Sequence, residues 1–275
     1  MEPCLNPSLT VSRDLKQYLD IAQSTGYSWV EADIGSIRRW VEETGIQKVK
    51  EEFAARGLRL ASIGLPVNVS GEESSFRDGL SKLKEYAKLA LALDCTRCCT
   101  WLQPSVDELP VPYASRLARR FRLIADVLAA YGIRLGLEFV GPHHLRNKTY
   151  PFVYTIEDTL EYISSIGAPN IGLLVDSYHW YTTQATVDDL KRIPAGQIVF
   201  VHVNDSNCSP AEALDHERLL PGEGCIDLPG FFKGLSEAGY HGPVSIEVLR
   251  TRPFVQPEAE VALQARRAVE KLLIP

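Results

Sequence analysis

One construction, used four times, constrains this chain more than anything else in it. A run of mostly apolar residues stops abruptly at a side chain able to bind a metal ion. The four runs are Arg134-Leu135-Gly136-Leu137-Glu138, Asn170 through Val175 to Asp176, Ile198-Val199-Phe200-Val201-His202, and Pro243-Val244-Ser245-Ile246-Glu247. Such runs suit strands buried on both faces, as in a parallel sheet covered by helices. The terminal residues lie 38, 26 and 45 positions apart, room for one or more strand-plus-helix units each time. In a parallel barrel all strand ends emerge on one face, so Glu138, Asp176, His202 and Glu247 can converge there.

The rest of the chain alternates in the same way. Cys4-Leu5-Asn6 reads as a first strand, and Ser12 as the cap of a helix carrying Leu15, Tyr18, Leu19 and Ala22. Trp29–Ala32 is a second strand, and a broken helical region from Ile37 to Ala55 closes at Arg56-Gly57. Strands at Leu58–Ile63 and about 97–102 flank a helix over about 74–93. Pro104–Pro112 reads as a loop before Tyr113, Leu117, Phe121, Ile124, Leu128 and Tyr131, the clearest amphipathic helix in the chain. Segment 141–154, with His143, His144, Arg146 and Asn147, is polar and suits a loop on the active face. Further helices follow at Ile156–Ile166, Pro229–Ala238 and from Val261 to Leu272. With 275 residues and no linker or low-complexity tract, the expectation is a single (β/α)8 barrel domain covering residues 1–275.

Composition excludes other classes. A net charge of −6 gives no electrostatic reason to expect nucleic acid or an anionic membrane as partner. No apolar run is long enough to span a bilayer, and the first residues lack a basic region and an apolar signal core, so a cytoplasmic location is expected. Nothing here argues against a homo-oligomer. The six cysteines are scattered; Cys95-Thr96-Arg97-Cys98 follows a helical run and leads into a strand, the reverse of a redox C-x-x-C, so buried reduced thiols are expected.

Two glutamates, an aspartate and one histidine form an oxygen-rich donor set. It favours Mn2+ or Mg2+ and tolerates Co2+ or Zn2+. Any one of these residues alone could simply cap a strand where it meets water; four in the same position point to one bound divalent ion. His179, three residues beyond Asp176, is placed to contact a substrate oxygen, with Tyr178, Trp180 and Tyr181 as an apolar wall. Arg218 is a cation that could stabilise a developing enolate oxygen or pair at the surface with Glu217 or Glu223.

These segments, together with His202-Val203-Asn204-Asp205 and the run Glu217 to Leu228, resemble the xylose-isomerase-like barrels of the sugar phosphate isomerases and epimerases, the inosose isomerases in particular. The resemblance runs from Asn6 to the last helix. It implies a divalent ion held by Glu138, Asp176, His202 and Glu247, with Glu138 and Glu247 as proton-transfer groups. It also implies that His179 contacts substrate near the reacting carbons. Two departures concern substrate. The ketose epimerases carry a glutamate where this chain has His144, and an arginine where it has Cys208. His144 is thus a candidate substrate contact, with Arg218 a functional substitute for the missing arginine. The expected activity is isomerisation or epimerisation of a polyhydroxy ketone, an inosose or related ketose, through a metal-stabilised enediolate. The alternative on the same barrel is a dehydratase acting on an inosose or 3-dehydroshikimate, which would begin with the same proton abstraction and then expel water.

Overall fold

The computed structural model describes residues 1–12 and 14–273. Eight parallel strands close into a barrel: β1 (Glu2–Leu5), β2 (Trp29–Glu31), β3 (Arg59–Gly64), β4 (Arg97–Trp101), β5 (Arg134–Glu138), β6 (Ile171–Asp176), β7 (Ile198–Val203) and β8 (Pro243–Ile246). Each strand pairs with its chain neighbours and β1 pairs with β8, so no edge is left open. The helices around it are α1 (Leu15–Ser24), α2 (Ile34–Thr44), α3 (Ile46–Ala55), α4 (Glu73–Ala92), α5 (Pro110–Ala129), α6 (Ile156–Ile166), α7 (Ser177–Thr182), α8 (Val187–Lys191), α9 (Leu228–Glu237) and α10 (Glu258–Leu273). The single (β/α)8 barrel expected from the sequence is the observed architecture.

Two cores arise from the period-two geometry of the strands. The larger lies between strands and helices, and includes Leu135, Leu137, Leu173, Val175, Val201 and Val244. The smaller fills the barrel: Cys4, Ala61, Cys99, Leu174 and Phe200, with Trp29 packed against it. Side chains two positions apart on a strand face the same way. Asp176 is therefore on the inner face because Leu174 is, and His202 because Phe200 is; the imidazole stands edge-on to the Phe200 ring at 5.6 Å between centroids. Gly136, whose absent Cβ would come 3.0 Å from Cys99 Sγ, occupies the corresponding position below Glu138.

Local details depart from the sequence reading where local chemistry competes. Asp14, not Ser12, caps α1, its carboxylate accepting from the amides of Lys16 and Gln17. Pro110 opens α5 inside the expected loop, since a proline at the first helical position forfeits no intrahelical hydrogen bond. Ser105–Val106 and Tyr150–Pro151 form a small antiparallel ribbon over the barrel mouth. All six cysteines are free; burial pushes the Cys95 thiol up to about 11 and Cys98 well above its ordinary value, so neither is a reactive thiolate. Among the described residues no helix is long and apolar enough to cross a membrane.

Candidate metal centre and substrate cavity

One ligand atom each from Glu138, Asp176, His202 and Glu247 lies within 4.8 Å of the others. His202 Nδ1 stands 3.4 Å from Glu247 Oε2, 3.7 Å from Glu138 Oε1 and 4.0 Å from Asp176 Oδ2. Neither His202 Nδ1 nor Glu138 Oε1 has a hydrogen-bond partner, although both are buried. An unpaired imidazole nitrogen and an unpaired carboxylate oxygen side by side are costly unless a cation joins them. Metal bonds of ~2.0–2.2 Å in a tetrahedral arrangement place neighbouring donors about 3.3–3.6 Å apart. The residues thus fit a divalent ion.

Each donor is fixed by its strand and by groups behind it. Asp176 ends β6 and at once caps α7: Oδ1 accepts from Tyr178 N at 2.6 Å and His179 N at 3.4 Å. Asn204, two residues beyond His202, donates its amide to both Asp176 oxygens. Burial alone would raise the Asp176 pKa, but the Arg218 guanidinium, the two histidines and Asn204 outweigh it and hold the carboxyl well below the usual range. Glu247 is also raised by burial, yet His202 and Arg218 bring it down to about 2. Glu138 has no such fixed cation and is raised, burial being the dominant cause.

Arg218 is 1% exposed. Its Nη1 donates to Asp176 Oδ2 at 2.8 Å and Glu247 Oε2 at 3.0 Å, its Nη2 to Asp215 Oδ1 at 2.7 Å, and its Nε to the Asp215 carbonyl. Those donors are committed, so Arg218 bridges two metal-compatible carboxylates and offsets their repulsion, and has little N–H left for a substrate. The surface pairing with Glu217 or Glu223 does not occur. Arg218 is held there by a loop that lacks helical or strand periodicity. Asp205 accepts from the amides of Ser206, Gly222, Gly224 and Ile226, and pairs through its backbone with Leu219. A Cβ on Gly224 would meet the Ser206 carbonyl at 2.2 Å, which is why the closure needs glycine there.

Above the cluster opens a cavity of about 490 Å³ lined by Glu138, His179, Asp215, Arg218, Glu247, Leu249, Val140, Trp101, Gln103, Pro104, Ser105, Leu145, Asn147 and Lys148. That is room for a small ligand. A groove of similar size beside α10, between Leu220–Glu223 and Arg267–Lys271, contains none of the cluster. His179 lines the cavity, with Nε2 3.8 Å from Glu138 Oε1 and 3.4 Å from Arg218 Nη2. Trp180 does not reach the cavity. It faces the opposite side of α7, its ring against Phe231 and its Nε1 donating to the Thr186 carbonyl, because successive residues on a helix point about 100° apart. His144 also stands outside the lining residues, edge-on to the ring of His216 at 5.9 Å. In their place the rim carries Trp101, 58% exposed, and Lys148, whose Nζ donates to Gln103 Oε1 at 2.7 Å. The sequence reading missed these rim residues, Asn204, Asp215 and Glu31, whose Oε1 lies 3.0 Å from His202 Nε2. For Glu31 the signal was present: Trp29-Val30-Glu31 is another strand ending in a carboxylate.

A model of the xylose isomerase-like TIM barrel family matches residues 19–272. The chain belongs to this family. It is 25% identical over 280 residues to an inosose isomerase of Bacillus velezensis, covering 99% of this chain and 97% of that one. A solved xylose isomerase domain protein of Alicyclobacillus acidocaldarius superposes with a TM-score of 0.96 at 45% identity, over 99% of this chain and 98% of the other. The IolI protein, solved with a zinc atom bound, superposes with a TM-score of 0.85 at 20% identity, over 99% and 98% of the two chains, a likeness of fold.

Proposed function

We propose that the protein is a divalent-metal-dependent isomerase or epimerase of a polyhydroxy ketone, an inosose or a related ketose. The observation carrying this is the donor cluster at the floor of the cavity, with His202 Nδ1 and Glu138 Oε1 buried and unpaired within it. The near full-length similarity to an inosose isomerase supports the substrate class. Glu138, Asp176, His202 and Glu247 would hold the ion; the donor set favours Mn2+ or Mg2+ and admits Co2+ or Zn2+, and the zinc bound in the structurally similar IolI protein supports keeping Zn2+ among the candidates. When bound, the ion supplies Lewis-acid polarisation of a carbonyl and its neighbouring hydroxyl.

The residues of the chain divide the remaining work unequally. Glu247 is tied to Arg218, whereas Glu138 Oε1 accepts no hydrogen bond; in the metal-free site burial raises the Glu138 carboxyl while His202 and Arg218 bring Glu247 down. Paired acids whose surroundings push their pKa values apart take different roles. Glu138 is therefore the group to remove and return a proton on carbon, and Glu247 the anchor. His179, on the same cavity wall, is placed to hydrogen-bond a substrate oxygen, and Lys148 brings a positive charge to the rim of a lining that also carries Glu138, Asp215 and Glu247.

The test is incubation with a panel of inososes and ketoses in D2O, with Mn2+, Mg2+, Co2+ or Zn2+ added. Deuterium next to the carbonyl in a product of unchanged composition supports the proposal. Loss of water identifies a dehydratase instead, and absence of exchange with every metal and substrate overturns the reading. Glu138→Gln keeps a metal-binding oxygen but loses the base, and is expected to abolish exchange, while Glu247→Gln retains measurable exchange. Loss of interconversion in both variants, with each still exchanging deuterium into the isomer whose proton faces the surviving glutamate, would mean a two-base epimerisation.

A further inference from the structure

The two ring nitrogens of His202 look in opposite directions, and only one of them faces the metal-compatible cluster. Nδ1 points to Glu138, Asp176 and Glu247, whereas Nε2 is 3.0 Å from Glu31 Oε1. A carboxylate only accepts, so in the neutral ring that a metal requires the proton sits on Nε2 and the lone pair is left on Nδ1. Glu31 is itself held. Its Oε1 also accepts from Asn6 Nδ2 at 2.8 Å, and that amide contacts Ser245 Oγ at 3.3 Å. Asn6 and Ser245 are both buried, and Asn6 Oδ1 accepts from the Ser8 amide, so the asparagine cannot swing away freely. Glu31, Asn6, Ser245 and His202 come from β2, the end of β1, β8 and β7, so the barrel's closure assembles the arrangement.

We infer that Glu31 is a positioning residue for the metal centre, locking the tautomer and the orientation of His202 so that Nδ1 meets the ion, with Asn6 holding Glu31 in place. The inference rests on the metal-dependent reading of the site given above. It predicts a graded effect that a merely structural role would not give. An alanine at 31 leaves Nε2 without a partner; a glutamine still offers a carbonyl oxygen to the Nε2 proton. Removing an outer partner of a metal-bound histidine typically costs ~10–100-fold in metal affinity.

The experiment measures Co2+ affinity by competition with a chelating dye at one fixed pH, for the wild-type protein, Glu31→Ala, Glu31→Gln and Asn6→Ala. Nitrogen-15 NMR of the histidine side chains is recorded on the Zn2+-loaded proteins. The expected order is wild type tightest, Glu31→Gln and Asn6→Ala weakened a few-fold, and Glu31→Ala weakened ~10–100-fold. The wild-type spectrum should show His202 carrying its proton on Nε2, and the protection of that proton from solvent exchange should be lost in Glu31→Ala. Wild-type affinity in Glu31→Ala, or His202 protonated on Nδ1, overturns the inference. Absence of Co2+ binding to the wild-type protein overturns the metal reading instead, so the two failures are distinguishable. Should Glu31→Ala fail to fold, Glu31→Gln and Asn6→Ala decide: unchanged affinity in both counts against Glu31.

Discussion

Replacing Arg218 by methionine should make the metal-free protein much less stable while making it bind metal more tightly. The guanidinium bridges Asp176 and Glu247 through one nitrogen and Asp215 through the other, with almost no exposure to water. Methionine is unbranched and apolar and replaces the aliphatic stem, so the main effect is electrostatic. Removing one partner of a buried ion pair costs ~3–5 kcal/mol because the remaining charge is left uncompensated. At about 2–4 °C per kcal/mol for a domain near this size, the metal-free melting temperature should fall by about 6–20 °C. A divalent ion then meets a more negative cluster. Taking a unit positive charge from within a few ångströms of it relieves repulsion on the order of several kcal/mol at an effective dielectric of ~20. Thermal melts in EDTA and in excess Mn2+ or Zn2+ check both signs. The gap between the two melting temperatures should be wider in the variant than in wild type. A variant with an unchanged EDTA melt, or with a gap equal to or narrower than wild type, would refute the argument that Arg218 offsets charge the ion would otherwise balance.

Other outcomes follow from the same geometry. Chelation should abolish turnover and lower the melting temperature, and Asp176→Ala or His202→Ala should mimic it; full turnover by demonstrably metal-free protein would end the metal reading. His179→Ala should keep its metal, measured by atomic emission, and lose turnover by ~10²–10³-fold if its ring stabilises a substrate oxygen; a metal loss equal to that of His202→Ala would make it a ligand. The pH dependence should reverse with metal. Burial opposes the charged imidazole, but Glu247, Glu31 and Glu138 outweigh it and raise His202 well above its ordinary value. In the metal-free protein its contribution is fully present below pH ~6.5 and is lost as pH rises through the raised value. Glu247, brought down to about 2, contributes above its ordinary range and loses that contribution as pH falls toward 2. Bound metal needs the neutral ring, so metal affinity should rise with pH, with about one proton released; calorimetry in buffers of different ionisation enthalpy reads that number.

What could be read from the chain was whatever depends on local periodicity. Unbroken apolar runs of strand length mark strands covered on both faces, and a charged residue ending such a run must lie where the barrel meets water. Glu138, Asp176, His202 and Glu247 were legible for that reason, as were the alternation of strands and helices and the barrel itself. Glu31 ends a strand of only three residues, so the apolar run before it is just Trp29-Val30, and its meaning comes from a histidine 171 residues away. Arg218 was visible as a cation, but its partners Asp176 and Glu247 are joined to it only by a loop that Asp205 folds back over four amides. Trp180 and His144 show the converse. Proximity in sequence to Asp176 and Glu138 suggested the cavity, but the short helix α7 turns Trp180 toward Phe231, and the chain after Glu138 carries His144 to His216. Strand ends are placed by period and barrel closure, which sequence encodes locally; the partners of a side chain on a loop or short helix are chosen by contacts among distant segments, which only the closed barrel brings together.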